Sequence, residues 1–170
     1  MPTYHTHYTI TTEALSRAAV RYITGTTDSS DESIDRNASA KLIQIFGKDE
    51  AANDNFAEVK DIIISSMSNV YRDIYPNPKL LMTDELISEG NDVLMTTRKN
   101  RIELDKDASN DKFILELIGR YLMTLQMFYC NTNWIELDQQ GVCENLGVTN
   151  AFPKDLSRVD EATCIYCNDK

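Results

Sequence analysis

The stretch Asp111–Cys130, DKFILELIGRYLMTLQMFYC, is an apolar run interrupted by Glu116, Gly119, Arg120 and Gln126. It is long enough for a central helix and too polar to span a membrane. Asn110 is placed to cap it, and Asp111 puts a carboxylate in its first turn, where the helix dipole favours negative charge. A chain of 170 residues built around one such helix fits a single domain with one sizeable core. Hydrophobic residues at 42% and charged residues at 26% exclude disorder over most of its length.

Other apolar patterns also have helical period. Leu15, Ala18, Ala19, Tyr22 and Ile23 form a stripe that Thr11 or Thr12 can cap and Gly25 can end. Ile34, Ala38, Leu42 and Ile45 form another, with Ser29 and Glu32 as a capping box and Gly47 as its stop. Phe56, Val59, Ile63, Met67, Val70 and Ile74 make the most regular stripe, terminated by Pro76 and Pro78. Thr83, Asp84 and Glu85 open a shorter helix toward Gly90. After the central helix, Asn133 and Glu136 resemble a capping box, Leu146 leads to Gly147, and Pro153 suits the first turn of a last short helix.

Thr3–Ile10 alternates instead, with Tyr4, Thr6, Tyr8 and Ile10 on one face, which predicts a short extended arm. Thr24–Ser33 is polar and low in complexity, a loop. Thr96–Asn110 carries charge without an apolar pattern and also reads as a loop. It holds the densest basic group, Arg98, Lys99 and Arg101 with Lys106, but Glu103, Asp105 and Asp107 interleave with it.

The chain carries 17 Lys and Arg against 27 Asp and Glu, a formal charge of −10. It repels phosphate, so nucleic acid is not an expected partner. MPTYHTHYTI has neither a basic start nor an apolar signal core, and no run is long enough for a membrane span, so a soluble, cytoplasmic protein is expected.

Candidate chemistry is sparse. Cys164 and Cys167 form a Cys-x-x-Cys, a spacing that lets two thiolates bite one zinc ion. Cys130 and Cys143 stand at separations that match no common zinc module, and free thiols are the favoured reading. His5 and His7 would lie about 7 Å apart on an extended segment, but they are the only histidines and have no further ligands beside them. A nucleophile needs an adjacent base, and none is in evident reach. The six glycines are scattered and form no phosphate loop. Tyr71, Tyr75, Tyr121, Phe128, Tyr129 and Trp134 could line a planar-ligand pocket, but aromatics at helical spacing read first as core.

Several short pieces, taken in order, resemble the phycobiliproteins, the globin-like subunits of light-harvesting antennae. They are Arg21-Tyr22-Ile23-Thr24, Ile34-Asp35-Arg36, Ile62-Ile63-Ile64 followed by Val70-Tyr71 and Pro76, Gly119-Arg120-Tyr121-Leu122, and Leu146-Gly147-Val148. In that family a Cys-x-Arg-Asp holds the bilin. The matching positions here are Ile114, Glu116 and Leu117, so the resemblance implies a subunit without covalent pigment. Cys130 cannot substitute, about 24 Å further along a helix.

The expected fold is therefore all-α, a globin-like bundle of six to seven helices in a single domain. An extended arm covers 1–10, a helical domain 11–160, and a tail with the Cys-x-x-Cys 161–170. The expected function is non-enzymatic: a phycobiliprotein-like subunit or derived regulator in photosynthetic antennae. It would act through a protein partner or homo-oligomer, with no cofactor and no membrane insertion. One alternative is an acidic helical interaction or regulatory protein of bacterial or viral origin. The other is a small zinc-binding module using Cys164 and Cys167.

Overall fold

Thr3 starts the first helix. Its backbone is extended (φ −76°, ψ 160°) and its hydroxyl accepts from the Thr6 N–H, so Tyr4–Thr24 forms α1. Gly25 ends α1 in the left-handed region at φ 66°, as its position in the sequence suggests. The computed structural model describes residues 3–26, 38–72, 77–83, 86–104, 111–134, 137, 141–152 and 156. Among these residues five further helices follow: α2 (Ala38–Phe46), α3 (Glu50–Arg72), α4 (Pro78–Leu81), α5 (Ile87–Leu104) and α6 (Asp111–Asn131). Among the described residues the regular structure is entirely helical, in the expected all-α single domain. No described helix is long and apolar enough to cross a membrane.

Helices α3 and α6 are the framework. Gly119 lies against Ile63. Further along both helices, Met123 and Met127 cluster with Met67 and Val70, so the two run in the same direction. Ser66 donates to the Glu116 carbonyl at 2.7 Å, and a Cβ on Gly119 would overlap the Ile63 carbonyl oxygen. Small residues at 66 and 119 are thus what lets the two backbones approach. A second cluster, Met82, Ile87, Leu94, Phe128, Trp134, Cys143, Leu146 and Leu156, joins α5, α6 and the C-terminal turns. Phe128 contacts Tyr129, Trp134 and Phe152, so these aromatics are core.

Tyr4–Ile10, expected as part of an extended arm, is helical instead. The expected buried stripe of α1 also turns outward, with Tyr22 89% exposed and Ile23 46%. The buried positions are His7, Thr11, Ser16 and Val20. The reason is a polar seam. His7 Nδ1 meets Gln126 Oε1 at 2.8 Å, Gln126 Nε2 donates to Thr11 Oγ1 at 2.8 Å, and Thr11 donates to Met67 Sδ at 3.1 Å. Hydrogen bonds, not hydrophobicity, select this face.

The loop expected at Thr96 is a second correction. Helix α5 runs from Ile87 through Gly90 to Leu104, and Arg98, Lys99 and Arg101 are exposed on it. Its later turns are built from good helix formers facing solvent, so the helix carries no apolar stripe to announce itself. Pro78 opens α4 at its first position behind an Asn77 cap. The Ser29 and Glu136 capping boxes, Ile74, Pro153 and the tail with Cys164 and Cys167 lie outside the described residues.

Candidate functional site

A groove of about 850 Å³ lies between α3 and α6, closed at one end by Asn77 and Leu80. Helix α3 supplies Glu58, Asp61, Ile62, Ser65, Asn69 and Val70. Helix α6 supplies Lys112, Phe113, Glu116, Leu117 and Arg120. The groove exists because Gly119 and Ser66 hold the helices close on their inner faces, leaving the longer outward side chains to form two walls. Its apolar residues are Ile62, Val70, Leu80, Phe113 and Leu117, and Phe113 is 50% exposed.

Three carboxylates and two cations stand around these apolar residues. Among the described residues none of the five is held in a hydrogen bond or ion pair. Among the described residues no His or Cys lines the groove, and Ser66 donates to the Glu116 carbonyl. The chemistry on offer is apolar contact edged by free charge. Leu117 also lines a neighbouring hollow of about 300 Å³ with Thr97, Arg98, Arg101, Ile118 and Tyr121. The outer face of α6 therefore presents continuous relief.

Ile114, Glu116 and Leu117, singled out in the sequence, divide. Ile114 is buried, while Glu116 and Leu117 face the groove. His5 and His7 do not form a pair: His7 is fully buried beside Tyr71, and His5 stacks on Tyr8. Cys130 and Cys143 are free thiols. Among the described residues no group of three or more His, Cys, Asp or Glu is placed to hold a metal ion.

The signal missed in the sequence was Asn91. It falls on the same face as Ile87 and Leu94, at positions i, i+4 and i+7, and is fully buried. Its Oδ1 accepts from the Gly147 N–H at 2.7 Å, and its Nδ2 donates to the Thr149 carbonyl at 3.0 Å and to Asn150 Oδ1 at 2.6 Å. It fastens the C-terminal turns to α5.

Burial also tunes titration. It pushes the Tyr129 phenol above its ordinary value, against the hydrogen bond that its oxygen accepts from the Cys143 N–H at 2.9 Å. Burial raises Tyr121 likewise, partly offset by Arg98, and raises the Cys130 and Cys143 thiols. Each folded pKa lies above its unfolded value, so as pH rises the unfolded chain loses these protons first. The stabilisation is complete below the unfolded values, about 8.5 for thiols and about 10 for phenols, and falls away as pH climbs through the folded ones. The urea midpoint should stay level up to about pH 8 and then decline. A midpoint still level past the ordinary phenol range would contradict this.

The comparisons overturn the phycobiliprotein resemblance. A family model described as the VWA7 N-terminal domain matches residues 37–170, including every quoted piece beyond the first two. The antenna subunit and the link to photosynthesis fall with that finding. It lends no support to the bacterial or viral interaction protein or to the zinc module. No curated protein and no solved structure matches the chain. The match spans well over half of the sequence, and the chain belongs to the VWA7 N-terminal domain family.

Proposed function

We propose that this is a non-catalytic binding domain whose α3–α6 groove receives a segment of another protein chain. The observation that carries the reading is the lining itself: Phe113 and Leu117 lie in reach of solvent, edged by Glu58, Asp61, Lys112, Glu116 and Arg120 with no partners among the described residues. A hydrophobic centre with a polar rim is the anatomy of a protein interface. A groove between two helices suits side chains spaced along a helical segment. The lining pairs no nucleophile with a base, which supports a role without catalysis. Its carboxylates and the net charge of −10 weigh against nucleic acid.

Partner binding should depend on the centre of the groove. Phe113→Asp with Leu117→Asp should weaken it by at least about 30-fold, the effect of losing an aromatic anchor worth roughly 2 kcal/mol. The helical circular dichroism should be unchanged, because both side chains are at least partly exposed. Undiminished binding by the folded double variant would sink the proposal.

A further inference from the structure

Helix α1 precedes the residues that define the family match, and its docking is unlike that of the other helices. The two larger core clusters contain no buried α1 residue. Its buried apolar anchor is Val20 against Leu42, in a separate small cluster. Ala19 and Tyr4 add partly buried contacts at either end, and the seat between them is polar. His7 and Thr11 join Gln126 and Met67, and Ser16 lies 3.2 Å from Ser39 Oγ, which also donates to Glu13 at 3.0 Å.

The seam is also incompletely satisfied. Gln126 Nε2 donates to Thr11, so Gln126 Oε1 is the acceptor and His7 Nδ1 carries the proton. His7 Nε2, on the far edge of the ring, is fully buried and has no hydrogen-bond partner among the described residues. Burying such a group is costly, and undocking returns it to water.

We propose that α1 is a detachable cover, opening as a unit while α3, α5 and α6 stay folded. Opening bares Met67 and the flank of the Met67–Met123–Met127 cluster, on which Tyr4 packs. This inference does not depend on what fills the groove.

Hydrogen exchange of the whole chain, followed by mass spectrometry, tests it. Peptides from 4–24 should exchange at least about 100-fold faster than those from 111–131, with a weaker dependence on urea, as expected for a local opening. Exchange of both helices together, at one rate and with one urea dependence, would overturn the proposal. The double variant His7→Leu with Gln126→Met replaces both polar partners by apolar groups of similar size. It should slow α1 exchange about 10-fold and leave α6 unchanged. Unaltered or faster α1 exchange in a variant whose α6 remains protected would count equally against it.

Discussion

Replacing Gly119 by leucine is expected to abolish cooperative unfolding at room temperature. Gly119 marks the closest approach of α3 and α6. A Cβ there would overlap the Ile63 carbonyl oxygen and stand 2.9 Å from Ser66 Cβ. The Ile63 carbonyl belongs to the α3 backbone, so no side chain can rotate away and the helices must separate. Overpacking by a methyl or two typically costs about 1–3 kcal/mol where the surroundings can adjust. Here a leucine would also dislodge Ser66 from the Glu116 carbonyl and loosen the Met67, Val70, Met123 and Met127 cluster. A domain with a total stability of about 5–15 kcal/mol has little reserve against that. Circular dichroism in urea provides the measurement. Gly119→Leu should show no two-state transition, and Gly119→Ala a clear lowering of the midpoint. A leucine variant with the parent's midpoint would mean that the helices are not in contact at this point.

Asn91→Ala should cost about 2–4 kcal/mol and free the C-terminal turns. Three hydrogen bonds tie the C-terminal turns to this one fully buried side chain. Alanine leaves the Gly147 N–H and the Thr149 carbonyl without it and opens a cavity beside Leu94 and Leu146. Gly147 is held at φ 70° with Tyr121 and Leu94 close by, so the turn has little freedom to find new partners in place. Two readouts separate local release from mere destabilisation. Proteolysis should move to residues 141–152. Emission of Trp134, the chain's one tryptophan, should shift to the red, because its Nε1 donates to the Gly141 carbonyl and the ring is buried against those turns. An unchanged midpoint with unshifted emission would remove Asn91 from this role.

The helices that the sequence announces are those whose burial is apolar. Ile63, Met67 and Val70 recur at helical spacing and are buried in α3. The run from Asp111 becomes α6. Gly25 ends α1 as its position suggests, whereas Pro78, expected to terminate a helix, opens α4. The failures have the opposite cause. Helix α1 buries His7, Thr11 and Ser16, whose fitness for a core lies in partners on other helices, Gln126 for His7 and Thr11 and Ser39 for Ser16. The alternation of Tyr4, Thr6 and Tyr8 gives no hint of them. The later turns of α5 face solvent and follow no apolar rhythm. The groove was not legible because its walls come from separate helices, and Phe113 and Leu117 in isolation resemble core residues. The order of short fragments that suggested an antenna subunit reflects helix punctuation, which unrelated helical proteins share.

Photo-crosslinking from position 113 is the most direct test of the groove. A short-range photoreactive residue there, in the full chain and in its native setting, should yield discrete protein adducts that vanish when Leu117→Asp is added. The same residue at Val142, 76% exposed and outside the groove, should not yield those adducts. Matching adducts from both positions, or adducts at 113 that persist with Leu117→Asp in place, would show that the α3–α6 groove is not where this domain meets its partner.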